Sequence, residues 1–241
     1  PDDIVYARNR YAGKLYQYRQ DDKSWRTTYS AYVGGPLIKD RLYFFVAAEA
    51  DKEQGSNTAT SDASSPSRSN YTYTTPKWYA KLNWNITDNH LLELTGIQSE
   101  QHGSGSNYAF DYDTHRAGAF QSYSDRTKTG GDAYIIKYTG YLTDNITLSA
   151  MYGKMRLHDY SAPVSYDPNL PYLQNIQDQN LALTGGRPIG NSQSTFSVPA
   201  STQGSQHTNL RIDLEWRLGD HKLNLGIDDQ TPRTIDQGSN S

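Results

Sequence analysis

Leu210-Arg211-Ile212-Asp213-Leu214-Glu215-Trp216-Arg217-Leu218 alternates apolar and charged residues without a break. Successive side chains of a strand point to opposite faces, so a strand here puts every apolar group on one face and every charge on the other. A helix would mix them. Beyond Gly219-Asp220 the alternation resumes, with Leu223, Leu225 and Ile227 set against Lys222, Asn224, Gly226 and Asp228. The two arms predict one amphipathic hairpin closed by a tight turn.

The same unit recurs upstream. Trp78, Ala80, Leu82, Trp84 and Ile86 alternate with Lys77, Tyr79, Lys81, Asn83 and Asn85, and a less regular arm with Leu92, Leu94 and Gly96 against Glu93 and Thr95 returns after Thr87-Asp88-Asn89-His90. Tyr134, Ile136, Tyr138, Gly140 and Leu142 lead to Thr143-Asp144-Asn145, and Ile146, Leu148, Ala150 and Tyr152 lead away from it. Earlier still, Lys39-Asp40-Arg41 precedes Leu42, Phe44, Val46 and Ala48, with Tyr43, Phe45 and Glu49 opposite. Four hairpins give about eight strands in an all-β, antiparallel fold.

The chain has 241 residues, 35% of them hydrophobic, enough for a single all-β unit spanning 1–241. Mean hydropathy is −0.83. No run approaches the roughly 18 apolar residues of a membrane helix, whereas a barrel strand needs only one apolar face. A net charge of −3 offers no broad basic surface, so nucleic acid is not an expected partner. Cysteine is absent, which excludes disulfides and thiolate metal sites. Pro1 is not an initiator and no apolar leader follows it, so the sequence reads as a mature protein or a fragment.

Alternation alone suits a soluble sandwich as well as a barrel. Two features select the barrel. Trp84 and Trp216 each lie three residues before the turn residues Thr87 and Gly219, on the apolar face, where an aromatic belt would meet a membrane interface. The stretches 51–76, 102–131 and 160–207 are long, polar and rich in Ser, Gly, Asn and Tyr, and all emerge on the side away from the tight turns. Short periplasmic turns with long, mobile outer loops are the pattern of an antiparallel transmembrane β-barrel. Ser56–Ser69 in particular carries too little apolar area to offset ordering, and 185–207, with Gly185-Gly186-Arg187-Pro188 and a Ser/Gln/Gly-rich run, reads as another mobile outer loop.

Gly34-Gly35-Pro36-Leu37-Ile38-Lys39-Asp40-Arg41-Leu42-Tyr43-Phe44-Phe45 is more specific than a generic hairpin. Its glycines permit a bulge and Pro36 removes a ladder donor, which predicts a kinked strand entering a turn. This segment, with Ala7-Arg8-Asn9 before it, resembles the early barrel hairpin of Oar-like TonB-dependent outer-membrane receptors. The resemblance implies a Gram-negative outer-membrane location and a barrel of about 22 strands, of which this chain is a section lacking the plug. It also implies TonB-driven movement of a large, unknown solute, with the plug domain, the TonB system and outer-membrane lipid as partners. The polar strand residues Lys77, Lys81, Glu93, Lys137, Arg211, Asp213, Glu215 and Arg217 are then expected to face the lumen, and Trp84 and Trp216 to form the membrane belt.

Two other readings stay open: a complete eight-stranded outer-membrane barrel with a structural or adhesive role, and a soluble carbohydrate-binding sandwich. Loop tyrosines, among them Tyr71, Tyr73, Tyr108, Tyr112, Tyr123, Tyr160, Tyr166 and Tyr172, suit sugar or peptide capture. Asp111-Tyr112-Asp113-Thr114-His115, with His102 nearby, offers carboxylates and imidazole. Calcium-loop spacing and any positioned nucleophile are missing from it, so no enzyme, cofactor or metal is expected.

Overall fold

The computed structural model describes residues 2–8, 10–164, 197–198, 204–235 and 239–240. Among these residues there are strands and no helix: β1 (Ile4–Val5), β2 (Leu15–Gln17), β3 (Ser24–Ile38), β4 (Leu42–Thr58), β5 (Ser67–Thr87), β6 (His90–Asp111), β7 (Arg116–Thr143), β8 (Ile146–Ala162), β9 (Ser197–Val198), β10 (Gly204–Leu218), β11 (His221–Ile235) and β12 (Ser239–Asn240). β3 to β8, β10 and β11 form one eight-stranded sheet in the order β11-β10-β8-β7-β6-β5-β4-β3. Every neighbouring pair is antiparallel. β1 with β2 and β9 with β12 make two small separate pairs.

All four Asp-containing turns close hairpins at one end of the sheet, the near end. The closing pairs are Ile38 with Leu42, Thr87 with His90, Thr143 with Ile146 and Leu218 with His221. In two of them a threonine stabilises the bend locally: Asn89 N–H donates to Thr87 Oγ1 at 3.3 Å and Asn145 N–H to Thr143 Oγ1 at 3.2 Å. The other two use a left-handed residue, Asp40 at φ 60° and Gly219 at φ 59°. The expected kink in the first hairpin falls between Pro36 and Ile38, where the register shifts. Pro36 is tolerated because β3 is an edge strand. A Cβ on Gly34 would come within 2.9 Å of the Phe45 ring, which lies over it.

The turns are not level, and their offset measures how the strands lean. One row of cross-strand partners runs Leu42, Trp84, Leu92, Tyr138, Ala150, Ile212, Ile227. Leu42 closes its own hairpin, whereas Ile227 lies six residues past His221, which closes the last one. Six residues over six strand steps is a stagger of one residue per strand. With about 3.3 Å rise and 4.8 Å between strands, that stagger corresponds to strands inclined by about 35° from the perpendicular to the line of turns.

At the opposite, far end the strands run on where loops were expected. β4 and β5 stay paired out to Thr58 and Arg68, leaving only 59–66 to connect them. β6 and β7 stay paired out to Asp111 and Arg116, leaving a four-residue turn, 112–115. The expectation of loops over 51–76 and 102–131 is therefore corrected. A ladder needs only backbone groups, and the Thr and Tyr of these polar stretches favour strand. Ser56–Ser69 is likewise held: Ser56 pairs with Asn70, and Thr58 is 1% exposed. Most of 160–207, including Tyr166 and Tyr172, lies outside the described residues.

The packing is that of a single layer. Among the described residues the buried apolar side chains are Tyr18, Phe110 and Ala162, and none of them belongs to the alternating hairpin arms. Val33, Trp84, Ile136, Leu210, Trp216, Leu225, Ile227 and many other large apolar residues are exposed.

Candidate functional site

Cross-strand register sorts the sheet into two chemically distinct faces. The row from Leu42 to Ile227 is apolar throughout, and the rows two residues to either side carry Phe44, Leu82, Leu94, Ile136, Tyr152 and Leu210, then Leu148, Leu214 and Leu225. Shifting by one residue reaches the other face: Tyr43, Asn83, Glu93, Lys137, Met151, Arg211, Asp228. All eight residues singled out for their charge, Lys77, Lys81, Glu93, Lys137, Arg211, Asp213, Glu215 and Arg217, share this second face.

The charged face is internally neutralised. Lys81 and Lys137 reach Glu93 at 2.8 and 3.6 Å, and Lys77 reaches Glu49 and Asp51 at 2.6 and 2.7 Å. Arg211 bonds Asp213 at 2.7 Å, and Glu215 takes both Arg217 at 3.1 Å and Lys222 at 2.8 Å. Glu49, Lys222 and Asp228 follow the alternation visible in the sequence. Arg26 and Asp51, joined at 2.8 Å, escape that reading, because no alternation marks 24–33 as a strand and Asp51 opens a stretch that looks like loop.

Trp84 and Trp216 sit on the apolar face, 42% and 40% exposed. The row through Trp84 reaches β10 at Ile212, four strand steps away, and Trp216 lies four residues nearer its turn than Ile212. At one residue of stagger per strand, the two indoles stand at the same height above the turns.

The far end holds a packed cluster that includes Tyr18 and Phe110, two of the buried apolar residues among those described. The segment before β3 folds over the β4-β5 and β6-β7 hairpin tips. The Tyr18 ring stacks on Phe110 at 5.7 Å and on His115 at 4.6 Å between centroids. Its hydroxyl donates to Asp21 at 3.0 Å, a bond that lifts the Tyr18 pKa above its ordinary value. Tyr112 donates to the Ala59 carbonyl and accepts from Tyr18 N–H at 3.4 Å, and burial raises its pKa. Gln17 Nε2 donates to the Thr58 carbonyl at 2.6 Å.

The Asp111–His115 motif is the β6-β7 tip, and its chemistry is spent on the turn. Asp111 Oδ1 accepts the N–H groups of Asp113 at 2.8 Å and Thr114 at 3.3 Å, and these bonds hold its carboxyl below the ordinary range. His102 lies elsewhere, 3.0 Å from Glu100. No group of three or more metal-ligating side chains occurs among the described residues.

Beside this cluster opens a cavity of about 1170 Å³, walled by Lys23 and Trp25 around the start of β3, Arg68 and Tyr71 of β5, and Arg116, Tyr123 and Arg126 of β7. A second cavity of about 790 Å³ shares Lys23, Trp25, Ser56 and Tyr71 with it and adds Arg19. Of the tyrosines expected to serve capture, Tyr71 and Tyr123 are here; Tyr73 packs on Tyr71 at 5.3 Å, and Tyr108 on Phe120 at 5.8 Å. No signal in the sequence brings Lys23, Arg68, Arg116 and Arg126 together, since they lie on strands and tips far apart in the chain. Comparison with known proteins finds no matching family model, no matching curated protein and no matching solved structure.

Proposed function

We propose that this chain is a section of the transmembrane barrel of a TonB-dependent outer-membrane receptor, part of the wall through which a large solute is moved. The observation that carries the reading is the apolar band: continuous across eight strands and exposed on one face of a single-layer sheet. A band of that size on a folded chain calls for an apolar partner. The inclination of about 35° matches the tilt of barrel strands. On β10 the band spans Leu210 to Leu218; eight steps of about 3.3 Å at that tilt give a height near 22 Å, close to the roughly 25 Å apolar belt of outer-membrane barrels. Trp84 and Trp216 fit its turn-side rim, so the near end reads as periplasmic and the far end as outer. Lys77, Lys81, Glu93, Lys137, Arg211, Asp213, Glu215 and Arg217 would then line the lumen. The Gly34–Phe45 hairpin supports the receptor class by resemblance alone.

A complete eight-stranded barrel would have β3 pair with β11, and among the described residues both are unpaired edges of 15 residues. Long bare edges invite neighbouring strands on both sides, which favours a section of a larger wall. A soluble sandwich would need a second sheet over the apolar face, and the described residues beyond the large sheet form only two short pairs.

The deciding experiment is an immunoblot of outer-membrane fractions with an antibody against residues 102–131. A band several times 27.1 kDa supports the receptor. A band near 27.1 kDa makes the small closed barrel the better reading, and absence from that fraction overturns both in favour of the soluble one.

A further inference from the structure

We propose that the 1170 Å³ far-end cavity binds a polyvalent acidic solute through carboxylate or phosphate groups, with ring faces stacking on its aromatic wall. The inference deepens the receptor reading, and rests on it for the claim that the bound molecule is cargo.

The charge of the wall is the first ground. Lys23, Arg68, Arg116 and Arg126 line the cavity against a single carboxylate, Asp21, in a chain whose net charge is −3. None of these four cations forms an ion pair among the described residues; Arg68 uses its guanidinium on the Asp21 carbonyl oxygen and on Ser56 Oγ, at 2.9 Å for the latter. The contrast with the charged face is direct, because there Lys77, Lys81, Lys137, Arg211 and Lys222 all have carboxylates within 4.0 Å. Uncompensated guanidinium groups converging on a concavity raise the local concentration of anions and can clasp carboxylate or phosphate in two-pronged bonds.

The aromatic wall is the second ground. Trp25 is 56% and Tyr123 62% exposed, and both border the same space as the arginines. Flat faces with polar rims beside cations suit an acidic oligosaccharide or a phosphorylated ring better than a bare inorganic anion. The volume points the same way, since it exceeds the 300–1,000 Å³ or so of common small-molecule pockets.

Calorimetry on the full-length protein that carries this section, purified from outer membranes in detergent, tests this, with hexagalacturonate and inositol hexakisphosphate as acidic probes and maltohexaose as the neutral control. The expected result is binding of at least one acidic probe, none of maltohexaose, and a marked weakening when salt is raised to shorten the screening length. Arg116→Gln with Arg126→Gln should lower affinity by about tenfold per arginine removed. If that double variant fails to fold, Arg116→Lys with Arg126→Lys keeps the charge and loses the fork; it should bind more weakly and stay salt-sensitive. Binding no better than maltohexaose for both acidic probes, or unchanged affinity in the folded variants, overturns the proposal. Insertion of the same preparation into phosphatidylcholine bilayers separates the two readings. A chain that inserts and ignores acidic probes loses only the cavity assignment, and one that binds them without inserting loses only the barrel.

Discussion

Arginine placed along β10 would report whether, and at what height, the apolar face meets a membrane. Leu214 stands opposite Leu148 on β8 and Leu225 on β11, in the middle of the apolar run from Leu210 to Leu218. Four residues of about 3.3 Å, inclined at about 35°, set it roughly 11 Å from either rim of the band. Arginine near a bilayer midplane costs about 2 to 4 kcal/mol, falling to about 0 to 1 near the interfaces. Leu214→Arg should therefore destabilise the full-length protein that carries this section, folded in phosphatidylcholine bilayers, by about 2 to 4 kcal/mol, and Leu210→Arg and Leu218→Arg by less than about 1 kcal/mol each. Leu210 has Asp229 opposite it, which further eases the change at that rim. Guanidinium unfolding of the three variants in bilayers gives the values. A profile without a central maximum would refute the reasoning: equal large costs at all three positions would mean a protein core, and uniformly small ones a face exposed to water.

Three further outcomes follow from the same geometry. Leu94→Glu should cost about 1 to 3 kcal/mol of stability in bilayers, whereas Glu93→Gln one residue away should cost no more than about 1 kcal/mol, because its partly exposed pairs with Lys81 and Lys137 are screened; equal losses for the two variants would contradict the two-face assignment. Gly130 has φ 119° and a Cβ there would run into the Ser99 carbonyl oxygen, so Gly130→Ala should cost about 1 to 3 kcal/mol in an unfolding titration, and an unchanged midpoint would show that the β6-β7 ladder is not strained there. Tyr18, through its bond to Asp21, and Tyr112, through burial, have raised pKa values, so what their neutral forms contribute is complete below the ordinary value near 10 and is lost as pH rises through the folded-state values. Tyrosinate absorbance should accordingly show a late-ionising group that shrinks in Tyr18→Phe, and a single transition for all 20 tyrosines would disprove the far-end packing.

Strand, turn and face were legible in the residues because each is a local property. The alternation of 210–218 sets which side chains share a face, and Asp40, Asp88, Asp144 and Gly219-Asp220 mark where the chain reverses. With consecutive hairpins, neighbours in sequence become neighbours in space, so even the sheet order follows the chain. Where the strands end was not legible. Residues 51–58 and 67–76 look like loop by composition, yet a ladder once begun can continue on backbone bonds alone, whatever the side chains.

The tertiary structure decided what depends on register across strands. The one-residue stagger, and with it the tilt and the equal height of Trp84 and Trp216, arises from hydrogen-bond pairing between separate hairpins, which no single segment encodes. It likewise brings Tyr18 onto Phe110 and His115 from 92 and 97 residues away in sequence, and gathers Lys23, Arg68, Arg116 and Arg126 around one cavity. Alternation along one strand determines which face a side chain takes; only the pairing of many strands determines at what height it stands and which distant residues it meets.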